Sequence, residues 1–412
     1  MILFYNLSIF FYSLLVRVAS LFNPKAKQWV LGRNNILKKI EEAVKGETNL
    51  VWFHSASLGE FEQGRPVIEA FKLKYPEYKI VLTFFSPSGY EIRKNYEGVD
   101  YVFYLPVDTK RNAKAFIRLI DPKMVFFIKY EFWYHYLNQL RKKEIPTYIF
   151  STIFRPKQMF FKPYGGLYRK ILMAFTHFFV QNEESMKLLK GIGFENVSLA
   201  GDTRFDRVYS IAQQAKVLPQ LEDFAKNRPV MIAGSTWPKD EENIIKYLNN
   251  SENDYKYIIA AHEVDENHIK NIVSGIEKPY VRFTTATKSE IDAAEVLVVD
   301  CIGVLSSLYR YGDISYIGGG FGRGIHNTLE AACYGMPVIF GPNYHKFKEA
   351  KDLLTLGGAQ TYENYEKLKN LLDSYHENVV LRRKLGKSSK TYVDKMRGAT
   401  DKILSIISFR LS

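Results

Sequence analysis

The chain reads as an α/β protein of two doubly wound halves facing a cleft, with an apolar helix ahead of them. Three observations predict this. Short apolar runs bounded by turn residues recur, with helical patterns between them, the mark of parallel βαβ units. The runs form two series, separated by a stretch without strand character. Finally, 412 residues exceed what one core of about 100–200 residues holds.

Residues 1–22, MILFYNLSIFFYSLLVRVASLF, carry Arg17 as their only charged side chain. As a helix they would extend about 33 Å, enough for a hydrocarbon core of about 30 Å. No basic segment precedes the apolar run, which argues against a secretory signal. Lys25, Lys27, Arg33, Lys38 and Lys39 follow it, so the positive-inside bias keeps the body cytoplasmic. Tyr5, Tyr12 and Arg17 equally suit a helix lying in the headgroup region, and a buried first helix is the plain structural alternative.

The first strand series is expected at 49–54, 78–85, 101–105, 124–128, 147–151 and 178–180. The second is expected at 230–233, 257–261, 281–283, 296–299, 314–317 and 338–340. Residues 208–227 between them read as helix. The expected organisation is therefore an anchor at 1–22, a first domain at 23–210 and a second at 211–412. The last stretch, 377–410, reads as a basic helix free to pack back on the first domain.

Lys and Arg number 57 against 44 Asp and Glu, a formal charge of +13. Such an excess suits an anionic partner. It is concentrated: no Asp or Glu precedes Glu41, and residues 145–182 are acid-free but carry Arg155, Lys157, Lys162, Arg169 and Lys170. These two stretches hold most of the excess, which fits an anionic bilayer and a phosphorylated lipid better than nucleic acid. The aromatic stripe Phe126–Tyr136 has too little interleaved Lys or Arg for a base-stacking surface. Two cysteines, Cys301 and Cys333, exclude a disulfide scaffold and fit a reducing compartment. No spacing of His, Cys, Asp or Glu suggests a metal, and no cofactor is expected.

Three constellations carry chemistry. His54-Ser55-Ala56-Ser57-Leu58-Gly59-Glu60 follows the first strand, a small-residue loop feeding a helix. Glu60 at that cleft edge can serve as general base toward a sugar hydroxyl; Ser57 and Glu60 also have capping-box spacing. Ala233-Gly234-Ser235-Thr236-Trp237-Pro238 closes a strand of the second half and suits a phosphate, or an N-cap with Pro in the first turn. His262 closes the next strand and could bond a phosphate or ribose. Gly318-Gly319-Gly320-Phe321-Gly322-Arg323-Gly324-Ile325-His326-Asn327-Thr328-Leu329-Glu330 is the most distinctive: a strand ends in glycines and a helix starts near Asn327. It is neither a Walker loop nor a dinucleotide fingerprint.

Taken with KYEFW at 129–133 and GDTRFD at 201–206, these segments resemble the 3-deoxy-D-manno-octulosonic acid (Kdo) transferases. That resemblance implies a GT-B glycosyltransferase of two Rossmann-like domains. It implies an inverting, metal-independent transfer of Kdo from CMP-Kdo to a lipid A precursor, at the cytoplasmic face of the bacterial inner membrane. By position, Glu60 takes the catalytic-base role. Arg204, Ser235, Thr236, His262, Gly319, Gly320, Phe321, Asn327 and Glu330 fall to the donor. Ser57, Gly59, Glu131, Arg155, Lys157 and Lys162 fall to the acceptor. The family commonly has Glu-Thr-Glu where this chain has Lys129-Tyr130-Glu131, so the first charge is reversed. Its Asn-Ala-Arg segment is replaced by residues 151–155, which keep only Arg155. The alternatives are a nucleotide-sugar epimerase of the same fold and a non-catalytic membrane-associated sugar-nucleotide-binding protein.

Overall fold

Strand β1 (Leu50–Ser55) is buried at all six positions, as a central strand of a parallel sheet covered on both faces must be. In the computed structural model, which describes residues 2–411, it lies in the middle of the first of two sheets. Met1 and Ser412, the outer ends of the expected anchor and second domain, lie outside the described residues.

The first sheet contains β1, β2 (Lys79–Phe84), β3 (Tyr101–Tyr104), β4 (Met124–Ile128), β5 (Thr147–Thr152), β6 (His177–Val180) and β7 (Val197–Leu199), in the order β3-β2-β1-β4-β5-β6-β7. Every pairing is parallel. Alternation sends Trp52 and Phe127 to one face, against Phe116 and Tyr136. Phe53 and Phe126 go to the other, stacked at 4.5 Å above Phe71.

The second sheet contains β8 (Val230–Thr236), β9 (Lys256–Ala261), β10 (Tyr280–Arg282), β11 (Val296–Val299), β12 (Ile314–Ile317), β13 (Val338–Phe340) and β14 (Ala359–Thr361), in the order β10-β11-β9-β8-β12-β13-β14. It too is wholly parallel. The strand order switches from one side of the sheet to the other between β1 and β4 in the first sheet and between β8 and β12 in the second, where β11 also inserts between β9 and β10. Ligands of open α/β sheets bind at the carboxyl ends of the strands beside such a switch point.

The chain divides into two compact units, residues 1–207 with 397–412, and residues 208–396. The division falls inside the helix Thr203–Gln214. Helical character then lapses except for a short turn at Pro219–Leu221. The expected basic helix at 377–410 is two helices, Val379–Met396 and Ala399–Leu411, and follows a separate helix, Tyr365–Glu377. The break before the last falls at Gly398, whose φ of +102° lies in the region that favours glycine. The last helix belongs to the first unit, where Ile403, Leu404 and Ile407 join the Phe53 face of the core. Asp206 fixes its start by accepting from the Gly398 and Thr400 N–H groups at 2.7 and 2.8 Å.

The first helix, α1 (Ile2–Ala19), has no buried residue. Only Tyr5, Ile9, Ser13 and Val16 are half-buried, spaced to form one stripe along the helix. Tyr5 Oη donates to Asp108 Oδ2 at 2.5 Å, and Asn6 pairs with His135 at 2.7 Å. Tyr12 lies against Trp29 and Phe85.

Candidate active site

At the first switch point the carboxyl ends of β1 and β4 bring Glu60 and Glu131 into one electrostatic environment. Ser57 is the N-cap residue of the helix Leu58–Lys74, with extended backbone, but its hydroxyl makes no capping bond. Glu60 Oε2 instead reaches back past the N-cap and accepts from the Ala56 N–H at 2.8 Å. Burial above all, and then the negative charge of Glu131, push the Glu60 carboxyl up to about 7. The Ala56 and Ser57 N–H groups and the Lys129 ammonium pull the other way. The result is a half-buried carboxylate poised to exchange a proton near neutrality. Gly59 beside it is exposed, and a Cβ there would meet nothing within 4 Å.

Glu131 is buried. Its Oε2 accepts from Trp133 Nε1 at 2.6 Å and lies 3.1 Å from His54 Nε2. His54 is fully buried at the end of β1, with Nδ1 2.8 Å from Thr83 Oγ1. Trp133 and His54 together fix the position of the Glu131 carboxylate. Lys129 reaches its place through a φ of +72°, and Ser151 on the adjacent strand end has +56°. Non-glycine residues held this way cost about 1–3 kcal/mol each and cluster at functional sites.

The expected basic contacts separate. Arg155 is exposed, its guanidinium 5.8 Å from the Tyr130 ring centre, from which the Lys129 ammonium lies 5.7 Å. Lys157 is exposed and lines an apolar groove of about 680 Å³ with Phe4, Tyr5, Phe132, Met159 and Phe160. Lys162 is half-buried. Two other cations of the acid-free stretches turn inward. Arg33 donates to the carbonyls of Leu105, Trp29 and Phe85, and Arg169 to those of Phe160 and Lys162. They hold loops together and contribute little to the surface charge read from sequence.

Arg204 belongs to the first unit, whereas the other expected donor residues lie in the second. Its guanidinium is tied to Asp202 Oδ2 at 2.7 Å. Within the same GDTRFD segment, Thr203 donates to the Gln63 carbonyl at 2.5 Å and Asp206 holds the last helix.

The second switch point gathers the rest. β8 runs on through Ser235 and Thr236, so the expected loop begins later than the sequence suggests. Ser235 takes a φ of +53°. Thr236 is buried and donates to Glu241 at 2.9 Å. Asp240 is the organising residue. It accepts from the Gly319 N–H at 2.8 Å, the Trp237 N–H at 3.0 Å and the Tyr316 hydroxyl at 2.6 Å. The glycine run is shaped by contact: a Cβ on Gly320 would lie 2.5 Å from the Gly341 nitrogen. Phe321 packs edge-on against Tyr362. His262 stacks against Trp237 at 4.9 Å and against His326 at 4.2 Å, and the Trp237 indole donates directly to His326. The helix expected near Asn327 starts at Leu329 and is five residues long. Asn327, just before the N-cap residue Thr328, accepts from the Leu329 N–H at 3.0 Å, while its amide donates to Glu330 at 2.9 Å. Asn327 and Glu330 thus form one polar edge beside the glycines.

Asp240, Trp133 and His326 were not singled out from sequence. Asp240 sits three residues after Trp237, the reach-back position of a capped helix, and that spacing was its available signal.

A family model described as 3-deoxy-D-manno-octulosonic-acid transferase matches residues 32–207. A protein of Aquifex aeolicus with that name is 29% identical over 378 residues, covering 88% of this chain and 97% of its own length. One of Haemophilus influenzae, named alike, is 23% identical over 370 residues, 87% of this chain and 86% of its own. Among solved structures, MurG of Acinetobacter baumannii matches with a TM-score of 0.55 at 13% identity, over 88% of this chain and 99% of that one. The UDP-GlcNAc 2-epimerase of Neisseria meningitidis, bound to UDP-GlcNAc, matches with 0.56 at 14% identity, over 84% and 98%. At those identities the two structures show the fold alone, which is GT-B.

Proposed function

Because the chain belongs to the 3-deoxy-D-manno-octulosonic acid transferases, a family of glycosyltransferases, we propose that it moves Kdo from CMP-Kdo to a lipid A precursor, with inversion and without a metal. The observation that carries the mechanism is the proton affinity of Glu60, raised to about 7 at the switch point of the first sheet. Glu60 takes the proton of an acceptor sugar hydroxyl as that oxygen attacks the anomeric carbon of Kdo. The bond from that carbon to the CMP phosphate oxygen breaks, and CMP leaves with the electron pair. Ser235, Thr236, His262, the glycine run with Phe321, Asn327 and Glu330 receive the donor. Glu131 keeps Glu60 basic through its charge, and Lys129 tempers it. Preorganised donors and cations facing the departing phosphate can stabilise its charge without a metal.

The apolar groove supports a lipid acceptor. Phe132, one of its walls, directly follows Glu131 in sequence, and Lys157 stands at its edge. In this reading Arg155, Lys157 and Lys162 meet the acceptor's phosphates, and α1 holds the enzyme at the cytoplasmic face of the inner membrane. The deciding assay combines CMP-Kdo with lipid A precursor, follows CMP release and weighs the lipid product. CMP release without a gain in lipid mass would overturn the transfer.

Reversing Arg155, Lys157 and Lys162 to Glu together is expected to raise the acceptor KM about tenfold or more, with the donor KM unchanged. Equal acceptor KM in the triple variant and the parent would remove these cations from the acceptor site.

A further inference from the structure

α1 meets the length and composition for crossing a membrane. Its contacts argue for a different placement. The helix is clamped lengthwise to the first unit: Tyr5 to Asp108, Asn6 to His135, and Tyr12 against Trp29 and Phe85. Asp108 is 1% exposed and also accepts from the His135 and Tyr136 N–H groups at 3.0 and 3.1 Å. If α1 stood along the membrane normal, this polar body would sink into hydrocarbon with it. Beyond Tyr12 only seven helical residues remain, about 10 Å at about 1.5 Å each, against a core of about 30 Å.

The opposite face of α1 is apolar and uncovered. Leu3, Phe4, Phe10 and Leu15 are 68%, 73%, 61% and 67% exposed. A surface of this kind marks contact with another apolar phase. What lies beside it identifies that phase. On one flank, Arg17, Lys110 and Arg111 line a groove of about 930 Å³ whose walls include Phe10 and Leu14. On the other, Lys157 edges the groove lined by Ile2 and Phe4. Exposed cations on both flanks of an apolar stripe match a layer of anionic headgroups over acyl chains.

We propose that α1 lies in the plane of the membrane rather than across it. Its outer face is embedded among acyl chains, and Arg17, Lys110 and Arg111 form a site for an anionic phospholipid headgroup. This extends the membrane placement above and is independent of the transfer chemistry, which is followed separately on the same samples with detergent-dispersed acceptor.

The test uses the full chain and two kinds of vesicle, phosphatidylethanolamine alone and phosphatidylethanolamine with phosphatidylglycerol. Binding is expected to favour the phosphatidylglycerol vesicles by about tenfold or more. R17E/K110E/R111E should abolish that preference while circular dichroism and detergent-phase activity persist. Nitroxide labels placed singly at Leu3, Phe10 and Val18 in a Cys301→Ser background report depth. In-plane packing predicts one shared depth, whereas a spanning helix predicts a gradient of about 20 Å from the first label to the last. A gradient, an unchanged lipid preference in the triple variant, or a vesicle-free dimer that hides α1 would each overturn the proposal.

Discussion

Glu60→Gln is expected to lower kcat by about a thousandfold while CMP-Kdo still binds. General bases contribute about 10²- to 10⁴-fold, and Gln cannot accept a proton at neutral pH. Its amide oxygen can still accept from the Ala56 N–H, 2.8 Å from the carboxylate in the parent. The substitution therefore removes the proton acceptor and leaves the loop held, which Glu60→Ala does not. The pH dependence carries the second half of the expectation. A group raised to about 7 is protonated, and inactive as a base, below that pH. The parent's kcat/KM should thus fall about tenfold per pH unit below 7 and level off above it. In Glu60→Gln the residual rate should lose that limb. Turnover near the parent value, or a residual rate that keeps the limb, would place the base elsewhere.

Gly318→Ala is expected to weaken CMP-Kdo binding about 10- to 100-fold and to lower Tm by several degrees, with the acceptor KM unchanged. The reason is backbone against backbone. A Cβ on Gly318 would lie 2.1 Å from the Ser235 carbonyl oxygen and 2.6 Å from the Thr236 Cα. Neither can rotate aside as a side chain could. Gly318 also donates to the Gly234 carbonyl at 2.9 Å, so the end of β12 must move off the end of β8. Overpacking of this kind costs about 1–3 kcal/mol, and a tenfold change in binding corresponds to about 1.4 kcal/mol. Gly322→Ala is the matched control. Its Cβ would meet only the Gly319 carbonyl at 3.7 Å, an ordinary contact. If donor KM in Gly318→Ala stays within twofold of the parent, the two loops do not form the donor site together.

Most strands of both sheets were legible as apolar runs between turn residues, down to the three-residue β13 (Val338–Phe340). β7 (Val197–Leu199) and β14 (Ala359–Thr361) were not. Each is a three-residue edge strand, too short and too mixed to stand out. The loops around Glu60 and the glycines were visible because small residues at a strand end leave a pattern in sequence order. Their partners were invisible because strand order is not sequence order. Glu131 meets His54 across 77 residues, as β4 lies directly beside β1. Asp240 reaches Gly319 across 79. The positive φ angles of Lys129, Ser151 and Ser235 carry no sequence signal, since none of them is glycine. The resemblance carried Arg204 toward the donor; its guanidinium is paired with Asp202 in the first unit.

The last helix, held to the first unit by Asp206, has a consequence for how the protein is made. The strands of the first sheet leave the ribosome early, yet the helix that supplies Ile403, Leu404 and Ile407 to their core is translated only after the whole second unit. At about 5–20 residues per second, the intervening unit delays it by roughly ten to forty seconds. For that interval the Phe53 and Phe71 side of the nascent domain lacks its cover. Completion of the first domain is thus tied to synthesis of the second, and a product truncated after the second domain would carry an open hydrophobic face, a ready target for quality-control proteases.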